Sequence, residues 1–466
     1  MRKLYWYISS YVRKHGLVFL GSILLALLFF SLVLPLLHKN LALKKSTYIA
    51  IVGDYTLTNL PKPIKNQLSA GLTKIGADLQ AEPLLAERWV IEDDGKQYRF
   101  VIKKEVKWQD GQELKPSDVF YNFADVETIS TPNEVIFNLP EPFTPFTVSV
   151  SEPLLRLEWE NRFLLPDQLK IIGIGQYRML DYRLRGNSLT EFKIDGPDGR
   201  YIYRFYLTEL EAVQAFKKGE VDVLLNISSC YDLCDWSRLE QAVELAYDRY
   251  LAVFFNNSDP LLTKNIRQGL AYVLSKDYGS ARALGPVNPR SWAYLQGGKD
   301  YAQDFGRATE RLLDDLPRKP LHFELTTSGN FIDEAEAIKR ELEEFAPQAV
   351  AACQANSAVT DKNLCQNLDI KVNLKVSNFP DLSSYQLLLI GQESPVDPDQ
   401  YFMWHSSQPT NFTHFKNTRI DSLLEKGRQT VDFEERRTIY QEFQQYLLED
   451  APAIFLRYLD NYSIAR

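Results

Sequence analysis

The sequence has few of the residues and none of the motifs on which most enzymes depend. Only five histidines and four cysteines occur in 466 residues. The patterns G-x-S-x-G, H-E-x-x-H, G-x-x-x-x-G-K-[ST] and G-x-G-x-x-G are all absent. The net charge is −8, and the basic residues are scattered rather than gathered into the stripe that nucleic-acid binding requires. The sequence therefore predicts neither an enzyme nor a nucleic-acid-binding protein, and it implies no cofactor.

Two small groups could still carry chemistry. His405 and His414 share one loop region and could bind a metal, but surface histidines are more often solvated. Asp397 and Asp399 form a carboxylate pair, which can serve acid–base catalysis. An Asp-Pro-Asp loop is more often turn chemistry. We therefore predict no catalytic residue and no metal site.

The four cysteines fall into two close pairs, Cys230 with Cys234 and Cys353 with Cys365. Outside the cytoplasm, an even number of cysteines in local pairs favours disulfides. The spacings do not match common zinc sites. Two local disulfides are the favoured interpretation, and free thiols or a metal site remain open.

One segment is far more apolar than the rest. Residues 16–37 (GLVFLGSILLALLFFSLVLPLL) contain no charged residue. About 20 apolar residues suffice for a transmembrane helix, whereas a cleavable signal has an apolar core of about 7–15. We expect an uncleaved anchor at 16–37, between a cytoplasmic tail at 1–15 and a linker at 38–45. By the positive-inside rule the large domain is then extracytoplasmic.

The remainder has the pattern of a mixed α/β protein with a break near residue 250. Residues 47–52 and 385–390 are predicted buried strands, and residues 322–327 and 368–376 are further strands. The pair Asp94-Gly95 predicts a hairpin turn, and a helix is predicted to start at Ser117. Thr208 with Glu211 predicts the N-terminus of another helix.

In the second half, helices are predicted around Ile266 and over residues 333–345, and two more close the chain. Of the closing pair, the first begins at Thr418 with Asp421 completing a capping box. Residues 347–367 are predicted to be disordered.

Five stretches in order resemble the family 5 extracellular solute-binding proteins, the oligopeptide- and dipeptide-binding receptors of ATP-binding-cassette (ABC) importers. The longest, residues 85–123, has a Trp, an Asp-Gly hairpin, a Tyr-x-Phe strand, a second Asp-Gly and an Asp-Val pair. The other four are GIGQYRM (173–179), EAVQAFKKGEVDVL (211–224), FNNSDPLLTKNIRQGLAYVLSKD (255–277) and a C-terminal helix pair (417–456).

The resemblance implies a two-lobed periplasmic-binding-protein-like α/β fold of the cluster C type, with an extra subdomain, here preceded by the transmembrane helix. On this interpretation the first lobe covers 46–250, with the subdomain at about 81–165 and a C-terminal return at about 445–466. The second lobe covers 251–444. Ligand binds between the lobes, which close about a hinge.

The resemblance also implies a ligand site. Peptide receptors of this family hold the ligand backbone as an added strand. An Asp in a Gly-Trp-x-x-Asp stretch before Asp-Pro often pairs with the peptide amine. Here the segment is 391–402 (GQESPVDPDQYF), where Ser394 stands at the amine-binding position and Glu393 is the neighbouring charge. The implied ligand-binding residues are Tyr55, Gly391, Glu393, Ser394, Asp397, Tyr401 and Trp404.

Packing explains some residues of these stretches better than ligand contact does. We expect Gly173, Gly175 and Tyr177 to shape a turn, Trp89 and Trp108 to lie in a core, and Asn256 to cap a strand. Tyr401 and Trp404 fit ligand contact and packing equally well.

The expected partners are a peptide or other small solute, ABC permease subunits and the lipid bilayer. The alternatives are a membrane-anchored sensor or scaffold that kept the fold, and a receptor for a non-peptide solute such as a glycan, a metal chelate or an opine-like molecule. An extracytoplasmic hydrolase is disfavoured because the catalytic patterns are missing.

Overall fold

The computed structural model describes residue 6 and the ranges 14–18, 20–29, 45–160, 167–279, 281–377 and 379–466. Residues 14–18 and 20–29 are helical. Within the described ranges, no helix is both long and apolar enough to cross a membrane. Residues 19 and 30–37 of the predicted anchor, and most of its flanks at 1–15 and 38–45, lie outside the described residues.

Strands and helices both occur along the described chain from residue 46 onward. The strands are β1 Ser46–Val52, β2 Thr73–Ile75, β3 Ala81–Pro83, β4 Ala86–Glu92, β5 Gln97–Ile102, β6 Glu127–Ser130, β7 Glu134–Asn138, β8 Arg156–Glu160, β9 Gln168–Ile172, β10 Arg178–Arg185, β11 Ser188–Asp195, β12 Arg200–Tyr206, β13 Val223–Ile227, β14 Glu240–Phe255, β15 His322–Thr327, β16 Lys371–Val376, β17 Leu387–Glu393 and β18 Ala453–Ala465. The α-helices are α1 Lys62–Leu68, α2 Phe146–Ser149, α3 Glu209–Lys217, α4 Lys264–Val273, α5 Phe305–Asp314, α6 Ile332–Ala355, α7 Tyr401–Trp404, α8 Thr418–Gln429 and α9 Phe433–Asp450.

One ten-stranded sheet runs through the molecule, in the order β10-β11-β12-β1-β13-β18-β14-β17-β15-β16. At one end β1 is parallel to β12 and β13, and at the other β15 is parallel to β16 and β17. The long antiparallel pair β14 and β18 joins these two parallel groups. The strands predicted at 47–52 and 322–327 are confirmed as β1 and β15.

The β14–β18 ladder is interrupted where the two parallel groups meet. Ala246 pairs with Leu459 and Tyr250 pairs with Tyr458, so residues 247–249 have no counterpart in β18. An insertion of this kind bends a strand and increases its local twist. Ladder pairs continue on both sides, from Glu240 to Phe254 of β14.

Strand periodicity places a core on each face of the sheet. In β14, Leu251, Val253 and Phe255 face one core, whereas Tyr250 and Phe254 face another. Successive side chains of a strand point to opposite faces, so an uninterrupted apolar run such as YLAVFF serves a sheet covered on both sides.

A four-stranded sheet of order β4-β5-β7-β6 forms a separate core. The predicted hairpin is confirmed, since β4 and β5 pair antiparallel across Asp93–Gly95. The helix predicted at Ser117 is wrong, because only one 3₁₀ turn, Pro116–Asp118, forms. Asp118 accepts hydrogen bonds from the backbone N–H of Lys115 (2.9 Å) and from Nε1 of Trp108 (3.3 Å). These bonds close the turn, and the chain leaves it extended.

The disorder predicted for residues 347–367 is also wrong. Helix α6 continues through Pro347 to Ala355, and a 3₁₀ segment follows at Lys362–Leu368. Both pack on the second-half core, where Cys353, Cys365 and Leu368 are fully buried. Burial of this apolar side accounts for a helix that the polar local sequence did not predict.

Both cysteine pairs are disulfides. The Cα atoms are 5.5 Å apart in Cys230–Cys234 and in Cys353–Cys365. The first closes a short surface turn, and the second ties the end of α6 to the 3₁₀ segment.

Two predicted helix starts have different outcomes. Helix α3 begins as predicted, because Oγ1 of Thr208 accepts the backbone N–H of Glu211 (3.2 Å). Helix α8 begins at Thr418 as predicted, but its cap is Asn417, whose side chain accepts the backbone N–H of Arg419 (2.9 Å). The capping box expected from Asp421 is wrong, since this carboxylate accepts the backbone N–H of Ser406 instead (2.8 Å).

We expect the two disulfides to contribute unequally to stability. Replacing Cys353 and Cys365 by Ala should lower the free energy of unfolding by about 3 kcal/mol, and replacing Cys230 and Cys234 by about 2 kcal/mol, because the longer loop frees more unfolded-state entropy. Loss of the buried Cys353–Cys365 pair also leaves a cavity. Urea unfolding of the two double variants measures both losses. An equal or larger loss for Cys230/Cys234 would contradict this ranking.

Candidate functional site

A cavity of about 750 Å³, here called the central cavity, lies where the first half of the chain faces the connection between β17 and α7. Its volume is within the range of small-ligand sites. Its first wall is built from α1 and the segments at 69–75, 84 and 145–153, and its second wall from residues 395–402. Residues 393–402, here called the cleft loop, contain most of the predicted site residues.

The cleft loop is held by hydrogen bonds to β14 and to the loop at residue 286. Ser394 is buried, its backbone N–H donates to the carbonyl of Asp248 (2.7 Å), and its Oγ donates to the carbonyl of Pro286 (2.7 Å). Asp397 and Asp399 form side-chain turns, accepting the backbone N–H groups of Asp399 and Tyr401 (3.0 Å each). The predicted turn chemistry of the Asp-Pro-Asp stretch is therefore confirmed.

Asp397 is committed to a buried ion pair. Its carboxylate receives two hydrogen bonds from the guanidinium of Arg436 in α9, at 2.6 and 3.0 Å, and both side chains are 9% exposed. Burial acts to lower the pKa of Arg436, but the charges and hydrogen bonds of Asp397 and Tyr440 together outweigh it, and the pKa is raised. A carboxylate paired in this way fixes the loop and is not available to a ligand.

Asp399 pairs with Arg428 of α8 (3.1 Å). Burial raises the pKa of the Asp399 carboxyl, and the Arg428 charge opposes that rise. The Arg428 guanidinium also lies 4.1 Å from the centroid of the Tyr401 ring and 5.2 Å from that of Phe402. Arg428 therefore orients the aromatic end of the cleft loop.

The same arginine lies against the four-stranded subdomain. Its guanidinium is 5.1 Å from the ring centroid of Phe143, and its carbonyl accepts the backbone N–H (2.8 Å) and Oγ1 (3.0 Å) of Thr144. A second bridge links the N–H of Trp292 to the carbonyl of Asp78 (3.3 Å). These contacts join the first half of the chain to the second.

Glu393 acts electrostatically on Tyr55 although 338 positions separate them in the sequence. Burial raises the pKa of the Tyr55 hydroxyl, and the nearby negative charge of Glu393 raises it further. Tyr55 packs on Phe205, with ring centroids 5.6 Å apart. Glu393 is exposed, and within the described part of the chain its carboxylate forms no hydrogen bond or ion pair.

Other predicted site residues have packing roles. Trp404 is fully buried near Phe254 and Phe415, and does not line the central cavity. Gly391 lies in β17, where a Cβ would come within 2.9 Å of Leu459. Tyr401 stacks on His405 at 4.3 Å and lines a neighbouring cavity of about 490 Å³.

The histidines do not converge on a metal site. Nε2 of His405 lies 3.2 Å from the Glu425 carboxylate, and its Nδ1 lies 2.9 Å from Oγ of Ser407. In the described ranges, no group of three or more His, Cys, Asp or Glu side chains could hold a metal ion.

The residues expected to be structural lie in packed or hydrogen-bonded positions. Trp108 is buried, and Nδ2 of Asn256 donates to the carbonyl of Tyr385 (2.9 Å). The N–H of Gly175 donates to the carbonyl of Leu68 (2.8 Å), and Nε2 of Gln109 donates to the carbonyl of Tyr177 (2.6 Å).

The lining of the central cavity also includes residues that the sequence did not single out, among them Lys62, Asn66 and Phe402. The Phe402 side chain is 60% exposed, which is unusual for a phenylalanine beside a cavity. Lys62 and Asn66 lie one turn apart on α1, which was not predicted. Pro63 in the first turn is a helix-start signal that could have revealed it.

The chain is similar to known proteins over most of its length. Residues 80–413 match the family model of bacterial extracellular solute-binding proteins, family 5 middle. The oligopeptide-binding protein AppA of Bacillus subtilis (strain 168) is 23% identical, covering 97% of this chain and 94% of that protein.

Solved structures also match the chain over most of its length. The ABC transporter substrate binding protein CtaP of Listeria monocytogenes has a TM-score of 0.70 at 18% identity, over 91% of this chain and 94% of that one. NikZ of Campylobacter jejuni, in complex with Ni(L-His), has a TM-score of 0.67 at 23% identity, over 91% and 94%. The predicted periplasmic-binding-protein-like α/β fold is confirmed.

We expect the Asp397→Ala substitution to destabilise the protein, since it leaves the buried Arg436 charge unpaired. The free energy of unfolding should fall by about 3–5 kcal/mol, and the double variant D397A/R436M should recover much of that loss. Chemical denaturation of the two variants tests this. A D397A protein as stable as wild type but unable to bind ligand would instead make Asp397 a ligand contact.

Proposed function

The chain belongs to the bacterial extracellular solute-binding proteins of family 5, and from this we propose that it captures peptides for an ABC importer. The observation that carries the proposal is the central cavity, which lies between the first half of the chain and a cleft loop anchored to the second. Similarity to an oligopeptide-binding protein and to an ABC transporter substrate-binding protein supports it. On this proposal the protein is a receptor, not an enzyme, and delivers its ligand to permease subunits.

The proposed receptor has two lobes that move about β14 and β18. The first lobe covers 46–250, with the subdomain at about 81–165 and the C-terminal return at about 445–466, and the second covers 251–444. The ladder shift at 247–249 is the proposed hinge, because few residues need to change conformation there while ladder pairs on both sides persist. Thr144, Arg428 and the Asp78–Trp292 bridge then form the closing contacts.

Glu393 is the proposed acceptor of the peptide's free amine. The position implied by the family resemblance holds Ser394, whose hydroxyl is already bonded to Pro286. Glu393 is the adjacent exposed carboxylate, and its negative charge adds to the effect of burial in raising the pKa of the Tyr55 hydroxyl, which belongs to the first half of the chain. Tyr401 and Phe402 add aromatic surface on which apolar ligand groups can pack.

We further propose that residues 16–37 anchor the protein in the membrane, with the receptor on the extracytoplasmic side. The support is the uncharged 22-residue run in the sequence, long enough to cross a bilayer. Cell fractionation with protease treatment of intact spheroplasts tests the placement. A receptor released without membrane solubilisation would contradict the anchor.

The ligand class can be tested by native mass spectrometry of the full chain, purified in detergent from cells grown in peptide-rich medium. Co-purified peptides of mixed sequence would support the proposal. A single non-peptide ligand would contradict the peptide assignment and keep the receptor role. No bound ligand and no thermal shift with a peptide library would favour the sensor or scaffold alternative.

The Glu393→Gln substitution should weaken binding of peptides with a free amine by about ten-fold, because a charge-assisted hydrogen bond is lost. Binding of N-acetylated peptides should be unchanged. Isothermal titration calorimetry with matched free and acetylated peptides measures the difference. Glu240→Gln, at an exposed position of β14, is the control, and an equal effect of E393Q on both peptide forms would exclude the amine contact.

The Arg428→Ala substitution should favour the open form, since it removes the stacking on Phe143 and the pair with Asp399. We expect ligand to dissociate about ten-fold faster, because interface changes act mainly on dissociation rates, and the radius of gyration in small-angle X-ray scattering to rise. Lys426→Ala, at an exposed position two residues away on the same helix, is the control. Unchanged scattering and dissociation in R428A would show that these contacts do not hold the lobes closed.

A further inference from the structure

The ionisable side chains of the central cavity are nearly all neutralised by neighbours. Five line it, and four have a partner of opposite charge. The pairs are Lys74 with Glu82 (2.9 Å), Glu152 with Lys65, Asp397 with Arg436 (2.6 Å) and Asp399 with Arg428 (3.1 Å). The fifth, Lys62, forms no hydrogen bond or ion pair with any part of the chain that the structure describes. The uncompensated charge of the cavity is therefore positive.

The neutral polar side chains of the cavity also divide into those with a hydrogen-bond partner in the protein and one without. Hydroxyl groups in the wall donate to carbonyl oxygens within it. They are Ser69 to Leu154, Thr73 to Thr147 (2.7 Å), Ser149 to Pro145 (3.3 Å) and Ser151 to Val148 (2.7 Å). Asn66 is the exception, since its exposed amide makes no such bond to the described chain.

Lys62 and Asn66 act from the same face of α1. Residues four apart on a helix are neighbours, so an ammonium and an amide N–H are presented side by side to the cavity. Across the cavity, the acidic residues of the opposite wall are already paired with arginines. No described carboxylate of that wall therefore competes for Lys62.

We infer that Lys62 and Asn66 bind a carboxylate of the ligand. This assignment rests on the proposed function: the carboxylate is the C-terminus of the peptide, and Glu393 holds the amine at the other end. An ammonium and an amide donor together suit a carboxylate, which offers two acceptor oxygens. A cavity of about 750 Å³ suits a short peptide, so the receptor is specific for small zwitterionic ligands.

The inference is tested with full-chain protein in detergent and an equimolar library of random tri- to pentapeptides in unmodified, N-acetylated and C-amidated forms. We expect wild type to bind the amidated library about ten-fold more weakly than the unmodified one, by competition with a labelled peptide. Lys62→Gln should remove that preference while leaving binding of the amidated library unchanged. Asn66→Ala should reduce the preference by a smaller factor.

The control substitution is Lys104→Gln, at an exposed lysine outside the cavity, which should leave all affinities unchanged. A second library without Asp and Glu separates the C-terminal carboxylate from side-chain carboxylates, and the preference should persist there. Equal binding of amidated and unmodified peptides, or an equal loss for both in K62Q, would overturn the inference.

If no peptide library binds wild type, the proposed peptide function fails and the anchor is tested separately. Thermal shifts with citrate, malate and glutamate then serve as the readout. A shift in wild type that K62Q abolishes would retain the carboxylate anchor for an organic acid. No shift with any of these acids would overturn it.

Discussion

The pairing of β14 with β18 is the constraint on which the rest of the structure depends. These two strands join two groups of parallel strands into one sheet, and the backbone hydrogen bonds of both groups end on them. The strands belong to distant parts of the chain, so the C-terminal residues complete the first half as well as the second. The ladder shift at 247–249 lies at the junction between the halves, and the sheet has a core on each of its faces.

The position of the cavity follows from this sheet. Helix α1, which follows β1, and the cleft loop, which follows β17, line the central cavity from its two sides. The cleft loop follows β17, and Asp397 and Asp399 add two ion pairs to the hydrogen bonds of Ser394 that hold it. Burying two carboxylates is costly unless each is paired. Arg436 and Arg428 provide that pairing, and the loop is fixed before any ligand arrives.

This arrangement separates the charges that stabilise the site from those available to a ligand. Asp397, Asp399, Glu152 and Lys74 are paired within the protein, whereas Lys62 and Glu393 are not, among the residues described. A site organised in this way loses little conformational freedom on binding, which favours affinity. The same arginine that pairs with Asp399 also contacts the four-stranded subdomain, so it links the position of the cleft loop to that of the subdomain.

The local sequence pattern was enough to predict elements whose burial or capping depends on their own residues. The run TYIAIV predicted a buried strand, Thr208 with Glu211 predicted a helix start, and both formed. It was not enough where distant contacts decide. Helix α6 passes Pro347 because Ala349 and Cys353 are buried on a core that β15 and β16 build. The turn at Ser117 does not become a helix because Trp108 and Lys115 bond Asp118.

The sequence by itself determined the family, the α/β fold, the cysteine pairs and the segment that contains the cleft loop. Each of these can be predicted from the order and spacing of the residues. Only the tertiary structure decided which side chains of that segment are available. Trp404, Ser394 and Asp397 looked suited to a ligand, but burial, a bond to Pro286 and Arg436 commit them to the fold. Lys62 and Asn66 could not be predicted from the sequence. Whether a side chain is available to a ligand depends on which partners the rest of the folded chain provides for it.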